Sequence, residues 1–241
     1  MQRARGRPAR LSRGQLIEAA LRLFEAEGLA GVTMARVAEA VDSSPMALYR
    51  HVRSREDLLE AMLDALLGRL ELELPAATPW QQNVREWMTR VRAFFLAHPR
   101  IVTLLQLEPG HYLSPPWIRA VGELITPLRA AGLSDAALAR ALQWTSRMTL
   151  GSVLQEIPAP IADTAALIGG LGRLEGEESL RWVEVLPALE RLDDDRFFAL
   201  VQDETIRMLE GWLAAPGSRS DAASASVPVP ASDPNANEEM L

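Results

Sequence analysis

Apolar residues recur at helical spacing along most of the chain, and capping residues divide this pattern into separate helices. The first helix begins with a capping box formed by Ser12 and Gln15, and Gly28 provides its stop. Further helices are predicted over residues 33–41, 45–51, 54–70, 80–98, 100–107, 116–131, 134–156 and 194–214. No stretch alternates apolar and polar residues as a half-buried strand does, so the sequence predicts an all-α fold.

Strong N-cap residues precede the three helices that follow the first. Thr33 caps the second helix, Ser44 followed by Pro45 starts the third, and Ser54 caps the fourth. A tight turn joins the second helix to the third, which is the arrangement of a helix-turn-helix. The third helix of such a unit enters the major groove of DNA. Helical hairpins are common, so the spacing alone leaves the function open.

The chain divides into four predicted regions. Prolines and glycines interrupt the helical pattern between residues 157 and 193, which predicts one or two short helices and mobile loops. The last 26 residues are rich in Ala, Ser, Pro, Asp and Asn and contain no aromatic residue, which predicts disorder. The regions are a basic arm (1–10), a helix-turn-helix domain (11–71), a helical C-terminal domain (78–215) and a disordered tail (216–241).

Charged residues are unevenly distributed between the predicted regions, and this bears on the function of the N-terminal end. The net charge is −7, yet residues 1–60 contain ten arginines and eight acidic residues, whereas the remainder contains fifteen arginines and 24 acidic residues. Five arginines and no acidic residue lie within the first 13 positions. A basic end on an acidic body indicates that this end meets a polyanion.

Composition excludes several classes of function. The chain has no cysteine, which excludes disulfides, thiol catalysis and cysteine-based zinc sites. No apolar run approaches the ~18 residues that span a bilayer, and the N-terminus lacks the apolar core of a signal peptide. We therefore expect a soluble cytoplasmic protein that has no membrane partner.

The residues of the helix-turn-helix carry a stronger signal than their spacing. Three segments are involved: Gly31-Val-Thr-Met-Ala-Arg-Val-Ala-Glu-Ala-Val41, Ser44-Pro-Met-Ala-Leu-Tyr-Arg-His-Val52 and Ser54-Arg-Glu-Asp-Leu-Leu59. In order and spacing they closely resemble the DNA-binding domain of the TetR family, and the resemblance covers about residues 11–71. It implies a homodimeric transcriptional regulator without catalytic activity. We expect a repressor that a small-molecule effector releases from a palindromic DNA operator, although the sequence itself does not decide between a repressor and an activator.

The resemblance also assigns roles to individual residues. Tyr49 and His51 would bind phosphates, and Arg55 would bind a phosphate beside the N-terminus of the fourth helix. Thr33 and Arg36 would contact the DNA backbone from the second helix. The residues that would read bases are Ser44, Pro45, Met46, Ala47 and Arg50, through thymine methyl groups and guanine. The alternative is that Tyr49 and Arg50 are only surface residues of a helical hairpin.

The basic arm contains a short motif of its own. Arg5-Gly-Arg7-Pro8 matches the core of a minor-groove AT-hook. Arginine side chains suit the narrow, electronegative groove of A·T-rich DNA, so Arg5 and Arg7 are candidate DNA contacts. The alternative is an arm that is attracted to DNA only by its charge.

A weaker likeness to the tetracycline-repressor-like branch continues at residues 94–98 and 148–154. It implies an effector-binding domain that dimerises through the helices over 134–156 and 194–214, although their apolar faces also suit ordinary core packing. A pocket for a largely apolar effector needs large apolar side chains with a few polar tips. The candidates are Trp87, Phe94, His98, His111, Tyr112, Trp117, Trp144, Arg147, Met148 and Gln155. Each of them is also compatible with a place in the core.

The sequence predicts no metal site and no cofactor. His98 and His111 are the only histidines outside the third helix, and no carboxylate is spaced to complete a site with them. An enzyme is disfavoured, because the chain has no nucleophile elbow, HExxH motif or Walker loop. Gly170-Leu-Gly172 begins a dinucleotide fingerprint, but Glu175 stands where its third glycine belongs. The remaining alternative is a helical adaptor or a non-specific DNA-binding protein that has no effector response.

Overall fold

The computed structural model describes residues 11–107, 114–157, 170, 182, 185–189 and 191–214. Its helices are α1 (Arg13–Glu27), α2 (Met34–Ala40), α3 (Pro45–Leu48), α4 (Arg55–Leu67), α5 (Trp80–Ala97), α6 (Ile101–Leu107), α7 (Pro115–Gly122), α8 (Ile125–Ala130), α9 (Asp135–Glu156), α10 (Leu186–Leu189) and α11 (Asp194–Ala214). The described residues form helices and no β-strand, as the all-α prediction expects. The predicted basic arm, the predicted tail and most of the 157–193 segment lie outside the described residues.

The predicted helix caps form at α1 to α4. The side chains and backbone N–H groups of Ser12 and Gln15 bond reciprocally in a capping box. Gly28 ends α1 with a φ of 71°, in the region that favours glycine. The other predicted N-caps each accept a backbone N–H from three residues ahead, namely Thr33, Ser44 and Ser54. These local bonds set where the N-terminal helices begin.

The third helix is shorter than the predicted span of 45–51. It ends at Leu48, and the backbone N–H groups of Arg50 and His51 bond to carbonyls three residues back, at 3.3 and 2.8 Å. Such bonds tighten the chain into a turn in place of a further α-helical turn. Tyr49, Arg50 and His51 therefore lie on a turn that follows α3.

The predicted helix over 116–131 is in fact two helices, α7 and α8. A turn at residues 123–124 separates them. Pro127 provides the physical reason, because proline lacks an N–H and its ring would clash with the carbonyl of Glu123, four residues earlier. The apolar spacing runs through this break, which is why the periodicity alone did not indicate it.

The four N-terminal helices share a core that continues into the C-terminal domain. Leu48 and Val52 are buried in it, as predicted from their spacing. In the C-terminal domain α5 packs against α8, α9 and α11, and α9 packs along α11. The helix α4 contacts both α6 and α7, and Arg100, just before α6, donates from Nη1 to the Phe24 carbonyl of α1 at 2.8 Å. The helix-turn-helix is therefore connected to the C-terminal domain through α1 and α4.

Asp57 joins α1 to the start of α4. Its carboxylate accepts the backbone N–H of Arg53 at 2.7 Å and Nη2 of Arg13 at 3.2 Å. The Arg53 N–H, followed by the Arg53 and Arg13 guanidinium groups, lowers the pKa of Asp57. A carboxylate whose pKa is lower in the folded state contributes stability at neutral pH, and this contribution is lost as the pH falls through the lowered pKa.

We therefore expect Asp57→Asn to lower the free energy of unfolding by about 1 kcal/mol at pH 7. The difference from the native protein should shrink as the pH falls through the lowered pKa of the native Asp57 carboxyl group, which lies below the usual range of an aspartate. Urea unfolding at neutral and acid pH measures this. Asp203→Asn is the control, because Asp203 pairs with Arg85 on the exposed surface between α5 and α11. The same loss of stability in both variants would contradict the prediction.

Candidate nucleic-acid interface and effector cleft

The side chains predicted to contact bases lie on the surface of α3. Ser44, Pro45 and Met46 are exposed at its N-terminal end, and Met46 is 76% exposed. Ala47 is half-buried. Met46 places an exposed apolar side chain at the N-terminal end of α3, and such a side chain suits contact with thymine methyl groups.

The turn after α3 continues this surface. Tyr49 is 50% exposed, Arg50 is exposed, and His51 is half-buried. None of these three side chains has a hydrogen-bond or ion-pair partner among the described residues. Their polar groups are therefore free to bind phosphate oxygens or base edges.

The other predicted DNA contacts are engaged within the protein. Arg36 forms an ion pair with Glu27 and, by hydrogen bonding, lowers the pKa of that carboxyl group. Arg55 donates from Nε to the Val32 carbonyl at 3.2 Å, and the Thr33 hydroxyl oxygen caps α2. These side chains hold α1, α2 and α4 together, and their contact with DNA stays a prediction. Arg5 and Arg7 lie outside the described residues.

A cleft of about 790 Å³ opens between α7, α8 and α9, and we refer to it as the α9 cleft. One wall comes from α7 and the start of α8, with Trp117, Ile118, Val121, Gly122 and Ile125. The other wall comes from α9, with Leu142, Gln143, Ser146, Arg147, Leu150, Gly151 and Leu154. Sites for small organic molecules have volumes of this order and mostly apolar walls.

The structure brings Trp117 and Arg147 together in the α9 cleft. Trp87 lies buried behind Trp117, with ring centroids 6.1 Å apart, and its Nε1 donates to the Ala120 carbonyl at 2.6 Å. The other described candidates, which do not line this cleft, are Phe94, His98, Trp144, Met148 and Gln155. His111 and Tyr112 lie outside the described residues.

Sequence reasoning missed most of the cleft wall because it favoured aromatic and histidine side chains. The wall from α9 is a stripe of mostly aliphatic and small polar residues that recur every three or four positions. That spacing marks one face of a helix. It does not distinguish a face that packs in the core from one that borders a cavity.

The described residues contain neither a metal-binding cluster nor a membrane-spanning helix. They contain no group of three or more histidine and acidic side chains placed to hold a metal ion. No described helix is both long enough and apolar enough to cross a membrane. That the protein uses neither metal nor cofactor stays a prediction.

Two family matches cover most of the described chain. Residues 16–62 match bacterial regulatory proteins of the tetR family. Residues 74–200, more than half of the chain, match the C-terminal domain described as tetracyclin repressor-like. The chain belongs to the TetR family. The resemblance read from the helix-turn-helix is confirmed, and the second match agrees with the predicted tetracycline-repressor-like branch.

Several curated TetR-family relatives are similar to this chain. An HTH-type transcriptional regulator of Saccharopolyspora erythraea is 28% identical over 147 residues, 61% of each chain. The HTH-type transcriptional repressor DrrR1 of Streptomyces coeruleorubidus is 27% identical over 64% of this chain. The chain spans 61% and 57% of the lengths of these two relatives. The class D tetracycline repressor protein of Escherichia coli is 31% identical, over 66% of this chain and 73% of its own.

Solved structures share the fold. ActR of Streptomyces coelicolor without ligand matches with a TM-score of 0.70 and 27% identity, over 84% of this chain and 96% of its own. ActR in complex with actinorhodin matches with a TM-score of 0.71 and 27% identity, over 86% of this chain and 100% of its own. BioQ with its double-stranded DNA operator matches with a TM-score of 0.54 and 27% identity, over 62% of this chain and 89% of its own. The predicted all-α architecture is confirmed.

Proposed function

We propose that this TetR-family chain is a homodimeric transcriptional repressor that a small-molecule effector releases from a palindromic operator. It catalyses no reaction and works in the cytoplasm, where it meets DNA. The observation that carries the proposal is the exposed surface of α3 and of the turn that follows it, where the Tyr49, Arg50 and His51 side chains have no hydrogen-bond or ion-pair partner among the described residues. BioQ, to which this chain is structurally similar, has been solved with its double-stranded DNA operator, which supports DNA binding by this chain.

The α9 cleft supports the effector part of the proposal. ActR, which matches over most of this chain, has been solved in complex with actinorhodin. In this chain Trp117 belongs to the cleft wall and also packs on the buried Trp87, while α7 contacts α4. A ligand that displaces Trp117 therefore acts on the helix that holds the helix-turn-helix. Release of DNA requires that the effector bind the non-binding conformation more tightly than the binding one.

Exposed apolar side chains on the two long helices support the dimer. Trp144 on α9 is 40% exposed, and Phe197 and Leu200 on α11 are exposed as well. Pairing these helices with those of a second copy would cover the apolar surface and form a symmetric interface. A twofold dimer presents two copies of α3 to the two halves of a palindromic site.

The test is a measurement of sequence-specific DNA binding. Genomic fragments retained by the purified protein identify the palindrome, and fluorescence anisotropy compares it with a scrambled duplex. We expect a preference of roughly 10³-fold or more, a strong decrease with salt, and loss of binding in Tyr49→Ala. A palindrome with one scrambled half should bind more weakly, because the second α3 loses its site.

Equal affinity for the scrambled duplex would overturn the regulator proposal. That outcome would favour the alternative, in which the chain is an adaptor or a non-specific DNA-binding protein. If the half-scrambled duplex bound as tightly as the full palindrome, the dimer would be the part of the proposal that fails.

A further inference from the structure

The α9 cleft carries its polar groups at one place. Its lining consists of apolar side chains and glycines except for one helical turn of α9, which presents Gln143, Ser146 and Arg147. Among the described residues that line the cleft, Arg147 is the single charged one. An apolar cavity with one cationic corner selects ligands by charge as well as by shape.

The hydrogen bonds within this turn of α9 leave more donor groups than acceptor groups free to bind a ligand. The Ser146 hydroxyl donates to the Leu142 carbonyl at 2.8 Å, so its hydrogen is already used. Arg147 donates from Nε to Oε1 of Gln143 at 3.3 Å, which occupies one of the two lone pairs of that amide oxygen. The Nη groups of Arg147 and the amide NH₂ group of Gln143 remain as free donors and outnumber the acceptor positions left on the Ser146 hydroxyl and the Gln143 amide oxygen.

No carboxylate among the described residues forms an ion pair with Arg147. The arginines of α5, by contrast, pair with acidic residues: Arg85 with Asp203, Arg90 with Glu86, and Arg92 with Glu156. Arginine with an open guanidinium edge binds carboxylate, sulfonate or phosphate groups through two parallel hydrogen bonds. The structure therefore leaves at the α9 cleft a position that an anionic group of a ligand would fill.

A second cleft in the molecule differs from the α9 cleft in the charges that line it. It has a volume of about 480 Å³, and it lies between the end of α4, α5 and α7. Its wall carries charges of both signs, with Arg90 and Arg119 beside Glu71, Glu73 and Glu123. Opposite charges side by side favour neither anions nor cations, so this cleft indicates no ligand class.

We propose that the α9 cleft binds an organic anion with an apolar body, whose charged group is held by Arg147 and the amide of Gln143. The inference rests on the proposed function, since it names the class of the effector. The chain as a whole carries a net charge of −7, which repels anions, so binding of such a ligand depends on the local guanidinium.

The test uses two fluorescent probes that differ in charge. The anion is 1-anilinonaphthalene-8-sulfonate, and the neutral probe is N-phenyl-1-naphthylamine, which has the same rings without the sulfonate. Arg147→Met should weaken binding of the anion by about tenfold or more, while the neutral probe keeps its affinity. Arg140→Met is the control: it removes the same charge from α9, but Arg140 stacks on Trp212 and does not line the cleft.

A second variant tests the location of the site. Gly151 lines the cleft, and no atom lies within 4 Å of the position that a Cβ would occupy there. Gly151→Leu should exclude both probes without disturbing α9, because leucine is a better helix former than glycine. Gly14→Leu is its control, since Gly14 in α1 is equally unobstructed and lies in a different part of the molecule.

Selective loss of the anion in Arg147→Met, with loss of both probes in Gly151→Leu, supports the proposal. Equal loss of both probes in Arg147→Met, or no loss of either, would overturn the anion preference. Unchanged binding of both probes to Gly151→Leu would overturn the location. These titrations contain no DNA, so their failure is distinguishable from failure of the operator-binding experiment.

Discussion

Met46→Glu is expected to weaken operator binding by about 100-fold or more while leaving the fold intact. Met46 is exposed at the second position of α3, directly after Pro45. A carboxylate at that position is favourable for the helix itself, because the N-terminus of a helix carries partial positive charge. The same carboxylate would face phosphates and the acceptor-rich edges of bases in the major groove, which repel it. Anisotropy with the palindromic duplex measures the loss.

Ala136→Glu is the matched control for this prediction. Ala136 is exposed and also occupies the second position of a helix, in this case α9, far along the chain from α3. The Ala136→Glu substitution adds the same charge in the same helical context. It therefore separates a local effect of the charge on α3 from the effect of a changed net charge. Equal losses in the two variants would assign the effect to net charge. Full binding by Met46→Glu would exclude α3 as the surface that reads DNA.

The elements that the sequence predicted correctly depend on neighbouring residues. The capping box of Ser12, the caps at Thr33 and Ser54, and the stop at Gly28 involve bonds that span about four residues or fewer. The helix-turn-helix could be found because its residues are contiguous and follow a family pattern. Where the predictions were wrong, at the end of α3 and at the break before Pro127, the choice depended on backbone bonding that apolar spacing does not reveal.

The α9 cleft, by contrast, could not be predicted from neighbouring residues. Its two walls belong to separate segments, 117–125 and 142–154, and only their packing creates the cavity. Trp117 and Arg147 were identified as single candidates, whereas nothing in the sequence indicated that they face the same space. The contact of Arg100 with the Phe24 carbonyl is a further example, since it joins positions 76 residues apart. Contacts of this kind follow from the tertiary arrangement of helices and not from local patterns.

Arg92 on α5 connects the end of α9 to the start of α11, and sequence reasoning did not single it out. Its Nη2 and Nε bond to the two carboxylate oxygens of Glu156 at 2.6 and 2.8 Å, and its Nη2 also lies 2.7 Å from Asp195. The Arg92 and Glu156 side chains are only 16% and 12% exposed. The hydrogen bond to Glu156, followed by the one to Asp195, raises the pKa of Arg92 further above its usual value, so the guanidinium group remains charged.

Arg92→Met is therefore expected to lower the free energy of unfolding by about 3 kcal/mol, because it leaves the largely buried Glu156 charged and unpaired. Addition of Glu156→Gln should restore part of this loss, since the orphaned charge is then removed. Arg196→Met is the control: its pair with Asp193 is exposed, and its loss should cost about 0.5 kcal/mol or less. Urea unfolding followed by circular dichroism measures all three variants. If Arg92→Met and Arg196→Met were equally stable, Arg92 would not hold α9 and α11 together.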